Sequence, residues 1–309
     1  MFFAVVYLHM FRGLLYGSYQ KPKELVWIFG CTIYLAMMAE GFLGYVLPYG
    51  QMSYWGAQVI ISLFGAIPYI GESLELWVRG DYYISGITVS RFFSFFFVAL
   101  PLVLIALVFL HLVALHEVGA GNPEGVDIEK HLDDDGVPLD SVPFFPYKVL
   151  NALVAIGVFM TVFSIIMFFF PEGGGYFIEM ANFQEANPLV TPDHIAPVWY
   201  YAPFYTMLRA IPDPLGGLIV MAAAVAIFFV VPWLDRSKVA SIRYKGIYSK
   251  IAITLFGVSF LTLGYLGTVG VTEVRKLMSV ICTVMYFAYF LLMPISVSYT
   301  HLRAHETLR

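Results

Sequence analysis

The chain has 309 residues, of which 60% are hydrophobic and only 12% are charged, and its formal net charge is −4. No soluble domain of this length is so apolar, so the composition excludes a water-soluble enzyme or binding module and indicates a polytopic membrane protein. The small negative charge offers no basic surface to nucleic acid. We therefore expect an all-α bundle of transmembrane helices surrounded by membrane lipid.

Seven apolar stretches follow one another along the chain. They cover residues 1–16, 25–47, 91–116, 148–170, 216–234, 250–270 and 276–295. About 20 residues are needed to cross the hydrocarbon core of a bilayer, so only the first stretch is clearly short. The pattern predicts six full spans plus a partial first helix. Between the spans, the long outer connections 48–90 and 171–214 are expected to include helical surface loops.

Both ends of the chain depart from this pattern. The first stretch begins directly at Met1 without the basic region and cleavage site of a signal peptide. It is interpreted as the second half of a spanning helix, which implies a truncated N-terminus. Residues 296–309 break abruptly from the preceding apolar helix and are interpreted as a non-native tail.

Lysine and arginine predict the orientation in the membrane. If the His9 end of the first stretch faces inward, the inner loops contain Arg12, Lys21, Lys23, Lys130, Lys148, Arg236, Lys238, Arg243, Lys245 and Lys250. The outer segments then contain Arg79, Arg91, Arg209, Arg275 and Lys276. Ten basic residues against five agree with the positive-inside rule. In this orientation His111 also falls at the inner end of its helix.

His9 and His111 therefore lie at the same predicted depth on two spanning helices. An ionisable side chain within the membrane is costly and needs a partner or a role. Two imidazoles at one depth could be the axial ligands of one buried haem iron. The alternative for each is an interior or interfacial imidazole satisfied by a hydrogen bond. Cys31 and Cys282 are interpreted as two buried free thiols, because no CxxC or CxxCH pattern is present.

Several motifs occur in an order that points to one family. They are GYVLPYGQMSYWGAQVI at 44–60, AIPYIG at 66–71, RFFSF at 91–95, LHEVGAGNPEG at 115–125 and HIAPVWYYAPFYTMLRAIPDPLGG at 194–217. Together they resemble cytochrome b of the quinol–cytochrome c oxidoreductase (cytochrome bc) complex, in its unsplit, proteobacterial form. The resemblance implies that residues 1–132 end the haem-binding N-terminal domain and that 133–295 form the C-terminal domain.

The resemblance implies a b-type haem near the inner face. His9 and His111 match its two axial ligands and the only metal ligands expected, and Arg12 matches the residue that pairs with a haem propionate. Gly30 and Gly44 are fourteen residues apart on one helix face, where the absence of a Cβ lets a porphyrin approach the backbone. Tight helix packing is the alternative explanation of the two glycines.

The chain departs from the family at the second, outer haem. One ligand would lie fourteen residues before His9, beyond the start of the chain. Its partner is expected just after the RFFS motif, where the chain has Phe96. Because phenylalanine cannot coordinate iron, the outer haem ligands are absent from this sequence.

Two quinone sites are implied as well. The outer, quinol-oxidising site corresponds to the 44–60 region and to Pro197, Val198, Trp199 and Tyr200. The commoner family form has a glutamate at the position of Val198, and valine cannot accept a proton. Glu40, near the outer end of its span, is our hypothesis for the proton acceptor; the alternative is a carboxylate reaching to the interface or bonding a neighbouring helix.

At the inner face, His116 is expected to donate a hydrogen bond to a quinone carbonyl. The alternative is an interfacial histidine exposed to water. The acidic run Asp133, Asp134, Asp135 and Asp140 is interpreted as a solvated inner loop, since three consecutive carboxylates cannot easily converge on one ion.

The implied activity is that of a membrane electron-transfer subunit. It oxidises quinol outside, passes electrons through b-type haem to quinone inside, and couples this to proton translocation; the fragment alone is expected to be inactive. The implied partners are a Rieske iron–sulfur subunit, a c-type cytochrome subunit, ubiquinol or a related quinone, and a second copy of the chain. The location is a bacterial inner membrane with His9 and His111 toward the cytoplasm. The alternatives are a haem-poor structural remnant of the complex and, from another class, a proton-coupled transporter.

Overall fold

The computed structural model describes residues 1–121, 123–124, 131–139, 141–175 and 177–295. The predicted tail at 296–309 and Asp140 of the acidic run lie outside these residues. Within the described part, the regular structure is helical and no β-strand forms; two isolated bridges join Gly50 to Glu185 and Leu132 to Pro138.

Eleven α-helices are present in the described residues. They are α1 (Phe2–Leu15), α2 (Glu24–Val46), α3 (Gln51–Gly65), α4 (Gly71–Arg79), α5 (Gly86–Ser94), α6 (Leu100–Val118), α7 (Val149–Phe169), α8 (Ala202–Ala210), α9 (Pro214–Leu234), α10 (Ile247–Thr268) and α11 (Glu273–Leu291). One π turn, Phe95–Ala99, joins α5 to α6 into a continuous helix, and another, Phe144–Lys148, precedes α7.

Six helical segments are long and apolar enough to cross a membrane. They are Glu24–Val46, Gly86–Val118, Phe144–Phe169, Pro214–Leu234, Ile247–Thr268 and Glu273–Leu291. The apolar helix Phe2–Leu15 is shorter than these six. The predicted helical bundle with six spans and a shorter first helix is therefore confirmed, and the helices α3, α4 and α8 form the predicted helical loops between spans.

Local capping sets several helix starts. Ser85 and Thr88 form a reciprocal capping box at the start of α5. The Asp213 carboxylate accepts a hydrogen bond from the Gly216 N–H at the start of α9, and Thr272 caps α11 in the same way. These caps satisfy backbone N–H groups that have no partner within the helix.

The larger core cluster joins α1 and α2 to the C-terminal helices. Fully buried members include Tyr34, Tyr286 and Phe290. The Trp27 indole donates to the Phe228 carbonyl at 2.6 Å, and the Tyr286 hydroxyl donates to the Ala224 carbonyl at 2.7 Å. Each buried polar tip therefore has an acceptor, as the low-polarity interior requires.

A second link joins α3 to the segment before α8. The Gln51 amide at the start of α3 donates to the Val190 carbonyl at 2.8 Å and accepts from the Asn187 N–H at 2.7 Å. Gly50 lies so close to Asn182 that an added Cβ would be 2.0 Å from the Asn182 carbonyl oxygen. Only glycine allows this approach, which fixes the loop before α8 against α3.

Candidate functional site

The two predicted histidines meet. His9 on α1 and His111 on α6 have ring centroids 6.5 Å apart and ring planes inclined at 76°. Two imidazoles that bind one metal at about 2.0–2.1 Å have ring centres about 6–7 Å apart. The Nδ1 atom of His111 is buried and has no hydrogen-bond partner among the described residues. The geometry therefore fits a metal held between the two rings.

Side chains around this pair match a haem better than a bare ion. The described residues contain no group of three or more His, Cys, Asp or Glu side chains able to hold a metal. A metal held by the two histidines would therefore need its other ligands from a bound group, such as a porphyrin. Gly30 faces this site, since an added Cβ would lie 3.3 Å from His111 Cε1. Arg12, one turn beyond His9, is exposed, and its guanidinium lies 6.0 Å from the Tyr16 ring.

The outer glycine has a different neighbour. A Cβ added at Gly44 would lie 2.5 Å from Cε2 of Phe96. Phe96 therefore packs against Gly44 on α2 in the same way that His111 packs against Gly30. The Phe96 ring fills the space beside Gly44. A phenyl ring offers no ligand, so the residues at this position do not fit a second haem.

The π turn at Phe95–Ala99 explains how Phe96 reaches this position. Phe96 precedes His111 by fifteen residues, whereas Gly30 and Gly44 are separated by fourteen. A π turn bonds i to i+5 instead of i to i+4 and so takes up one extra residue. Phe96 in the π turn and His111 on α6 therefore keep the spacing of the two glycines on α2. This feature was not predicted, although the difference between fifteen and fourteen was its signal.

A large apolar cavity lies toward the predicted outer side. Its volume is about 500 Å³, and its walls come from α2, α3, α8, α9 and the segment before α8. The lining includes Leu35, Met38, Phe42, Tyr45, Met52, Gly56, Ala57, Ile60, Leu63, Pro197, Val198, Tyr201, Phe204, Tyr205, Met221, Ala222, Val225 and Phe229. No charged side chain belongs to the described lining. The cavity can therefore accept a large apolar molecule.

Only two of the four residues predicted at the quinol site, residues 197–200, line this cavity. Pro197 and Val198 line it, whereas Trp199 and Tyr200 do not. The Tyr200 ring stacks on Phe3 with centroids 3.8 Å apart and planes at 4°. Trp199 packs at 6.3 Å, edge to face, against Tyr7. The structure therefore joins the first two residues to the cavity and the last two to the core around α1.

Two other tyrosines, Tyr201 and Tyr205, line the cavity. Tyr201 donates to the Met38 carbonyl, and Tyr205 lies along the wall. Burial raises the pKa of Tyr201 far above its ordinary value, and burial raises the pKa of Tyr200 to about 12. Both phenols are protonated at neutral pH, so they serve as hydrogen-bond donors and not as bases.

Glu40 does not line the cavity. Glu40 is two residues from both Met38 and Phe42, which line the cavity. Two residues turn a helix by about 200°, so the Glu40 side chain lies on the side of α2 opposite to the cavity. It lies one turn from Gly44 on the same face. Its Oε2 atom is buried and has no hydrogen-bond partner among the described residues. The carboxylate therefore belongs to the face of α2 that also carries the two glycines.

The remaining predicted residues lie at the inner end. His116 follows His111 on α6 and is exposed. The carboxylate of Asp133 accepts the N–H groups of Asp135 and Val137, and these aspartates are exposed. The described part of the acidic run is thus a solvated turn, as expected.

Two family models match the chain. The model described as Cytochrome b(N-terminal)/b6/petB matches residues 1–203, and the model described as Cytochrome b(C-terminal)/b6/petD matches residues 185–287. Similar curated proteins carry the name Cytochrome b. The protein of Allochromatium vinosum is 56% identical over 96% of this chain and 73% of its own length. Those of Rickettsia bellii and Rhodospirillum rubrum are 47% and 45% identical, each over 94% of this chain and over 70% and 69% of their lengths.

A solved structure agrees in fold. A chain of the structure titled "Hyperthermophilic respiratory Complex III" superposes with a TM-score of 0.89 and 34% sequence identity. The match covers 97% of this chain and 76% of that chain. The helical arrangement around the histidine pair and the cavity is therefore shared with a membrane respiratory assembly.

Proposed function

Because this chain belongs to the cytochrome b family of bc1-type complexes, we propose that it oxidises quinol in the outer cavity and delivers electrons to quinone near the inner face. Family membership makes it an integral membrane, electron-transfer subunit of a respiratory oxidoreductase of the Complex III type. The coupling to proton translocation, with quinol protons leaving outside and quinone protons entering inside, is part of the proposal.

The histidine pair is the proposed haem site. His9 and His111 would hold a b-type haem, which supplies reversible one-electron chemistry at this depth in the membrane. The separation of 6.5 Å between the two ring centroids supports this assignment. Arg12 is the proposed partner of a propionate, because it is exposed one turn from His9 and forms no salt bridge within the described chain.

The apolar cavity is the observation that carries the proposal. Ligand pockets in proteins are typically about 300–1,000 Å³ and mostly apolar, and this one is about 500 Å³ without a charged wall. A quinol ring with an apolar tail suits such a space. Pro197 and Val198 line the cavity directly. The next two residues of the segment pack against α1, Trp199 on Tyr7 and Tyr200 on Phe3.

Proton release from this cavity needs a relay. No carboxylate lines the described wall, and Val198 cannot accept a proton. Glu40 stays our proposed acceptor, with the proton passing around α2 through water. At the inner side, the exposed His116 is the proposed donor to a quinone carbonyl.

Phe96 supports one refinement. With a phenyl ring against Gly44, the chain is proposed to bind a single haem, which interrupts the relay that two haems would form. The same contact favours a second candidate function, a structural subunit that fills its position in the complex without turnover. The number of haems per purified chain and the turnover of the complex distinguish the two.

Partners and location follow the family. The proposed partners are a Rieske iron–sulfur subunit, a c-type cytochrome subunit, ubiquinol or a related quinone and a second copy of this chain. The proposed location is the bacterial inner membrane, with the ends of α1 and α6 that carry His9 and His111 toward the cytoplasm.

A cavity-filling substitution tests the quinol proposal. Gly56 lines the cavity and an added Cβ meets nothing within 4 Å, so Gly56→Leu occupies free space. We expect the KM for quinol in the assembled complex to rise at least tenfold while the thermal stability stays unchanged. Gly157 on α7 is the matched control, because it is equally open but lies outside the cavity. An unchanged KM in Gly56→Leu would contradict the proposal.

A further inference from the structure

Three cationic side chains line one small cavity between α8, α10 and α11. They are Arg209, Arg275 and Lys276, and the rest of the wall is Ala210, Leu266, Gly270, Val271 and Ser279. We infer that this cavity binds a phosphate group, either from a lipid headgroup or from free phosphate. The inference concerns a site separate from the haem and quinol sites and does not depend on the function proposed for them.

Most hydrogen-bond donors at this cavity have no acceptor. Arg209 donates to the Leu266 carbonyl at 2.6 Å, and its guanidinium lies 4.7 Å from the Tyr205 ring. Its Nε is buried and has no partner among the described residues. Arg275 donates to the Gly270 carbonyl at 2.8 Å. A guanidinium has five N–H donors, so these two contacts leave most of the donors free for a ligand.

No protein anion balances the three charges. Within the described chain, none of Arg209, Arg275 and Lys276 forms a salt bridge to a carboxylate. Like charges around one cavity repel each other, and the repulsion grows where protein excludes water. A bound anion removes this cost. Guanidinium groups match phosphate oxygens in geometry and charge, and an ammonium adds a further point charge.

The size of the cavity defines how the ligand enters. The cavity measures about 20 Å³, and about 10–15 Å³ is enough for one water-sized group. One phosphate oxygen can therefore enter, while the rest of the group stays at the mouth near Lys276. An aromatic ring cannot enter this volume.

The location suits a phospholipid. α10 ends at Thr268 and α11 begins at Glu273, so the cavity lies where two spanning helices reach the membrane surface. Lipid phosphates occupy the polar layer just outside the hydrocarbon core. The same chemistry would also capture inorganic phosphate from the outer aqueous phase, and the experiment separates these two sources.

The test uses the purified full chain in a phosphate-free maltoside detergent, stripped of lipid. Its thermal unfolding is followed while inorganic phosphate, or separately a short-chain phosphatidylglycerol below its critical micelle concentration, is added. We expect a saturable rise in Tm. Saturation by the lipid alone identifies a headgroup site, and saturation by inorganic phosphate identifies a site for the free anion as well.

Substitutions assign the response to the cavity. Lys276→Gln and Arg275→Gln should each weaken the apparent affinity about tenfold, the order expected for one lost charge-assisted hydrogen bond. Arg91→Gln is the matched control, because Arg91 is another outer-side arginine that donates to a carbonyl, that of Trp77, away from the cavity. Lys276 has no side-chain contact that the fold needs among those described, so its substitution leaves folding intact.

Two results would overturn the inference. One is the absence of a saturable response to either probe in the unsubstituted chain. The other is an equal loss of affinity in Arg91→Gln and Lys276→Gln, which would show a general effect of surface charge.

Discussion

Phe96, in the π turn before α6, packs directly onto Gly44 on α2, so closely that a Cβ added at Gly44 would lie 2.5 Å from the phenyl ring. Toward the other end of α2, His111 packs onto Gly30, where an added Cβ would lie 3.3 Å from the imidazole. The helix pair therefore makes two equivalent contacts, one with an imidazole, which can bind a metal, and one with a phenyl ring, which cannot.

The contact between Phe96 and Gly44 predicts that the effects of substitutions at these two positions are coupled. Gly44→Ala should destabilise the chain, because its methyl group and the Phe96 ring compete for the same space. Phe96→Ala should remove most of that penalty, so that a double-mutant cycle gives a coupling free energy of about 0.5–3 kcal/mol. Thermal or denaturant unfolding in detergent measures it. Gly56→Ala, where an added Cβ meets nothing within 4 Å, should show no coupling to Phe96→Ala; strictly additive effects at Gly44 would contradict the contact.

The histidine pair predicts which residues hold haem. His9→Ala and His111→Ala should each lower the haem bound per purified chain at least tenfold, because either substitution removes one of two axial ligands. Haem content by optical absorption measures the loss. His194, an exposed histidine on the segment before α8, is the control, and His194→Ala should leave the spectrum unchanged. Full haem content in both ligand variants would refute the assignment.

Glu40 predicts a proton-transfer defect. Glu40→Gln should slow quinol oxidation severely, by tenfold or more, and should change the pH profile of turnover, whereas Glu40→Asp should keep a measurable fraction of the rate. Turnover of the assembled complex with cytochrome c as acceptor is the measurement. Glu72→Gln on the exposed side of α4 controls for loss of an outer carboxylate. Near-normal turnover and an unaltered pH profile in Glu40→Gln would remove Glu40 from the proton path.

The ion pair of Asp235 and Lys245 predicts acid sensitivity. The two side chains are only 4% and 11% exposed and lie 2.8 Å apart. Burial alone would raise the pKa of Asp235, but the Lys245 ammonium and the hydrogen bonds from Lys245, the Tyr19 hydroxyl and the Ser237 N–H outweigh burial and lower it. Because the folded-state pKa is lowered, ionised Asp235 stabilises the fold in full at any pH above its unfolded-state pKa of about 3.9. This stabilisation is lost as the pH falls through the folded-state pKa.

The measurement is the free energy of unfolding at pH 7 and from pH 5 downward. Asp235→Asn should cost roughly 3–5 kcal/mol at pH 7, because it leaves the Lys245 ammonium buried without a counter-charge, and it should flatten the loss of stability in acid. The control is Glu124→Gln, which breaks the ion pair of Glu124 with Arg243. The Glu124 and Arg243 side chains are 41% and 52% exposed, so this variant should lose less than about 1 kcal/mol of unfolding free energy. Equal costs for the two variants would show that burial of Asp235 does not matter.

Hydropathy predicts the spans closely but not every boundary. The stretch predicted at 216–234 is the helix Pro214–Leu234, since its ends follow from the Asp213 cap and the polar residue after Leu234. The stretch predicted at 91–116 extends back to Gly86 in the structure. Ser85 and Thr88 start that helix by capping it, and a capping bond leaves no signal in mean hydropathy.

The sites were predictable to different degrees. The meeting of His9 and His111 was predictable from the sequence, because both were assigned the same depth on apolar helices. The lining of the cavity was harder, since residues 198–201 form a turn in which the Tyr201 N–H bonds the Val198 carbonyl, and a turn has no period that assigns side chains to one face. Helical periodicity was sufficient to separate Glu40 from Met38, but only a structure shows which face of α2 meets the cavity.

The links at the two ends of the bundle have a mechanical consequence for the cavity between them. At one end Gln51 and Gly50 hold the segment before α8, and at the other end Trp27 and Tyr19 hold the last part of α9 through Phe228 and Asp235. Walls fastened at both ends cannot swing apart as two rigid bodies. Exchange of a molecule in the cavity then requires motion of the side chains that line it, rather than a hinge between its two ends.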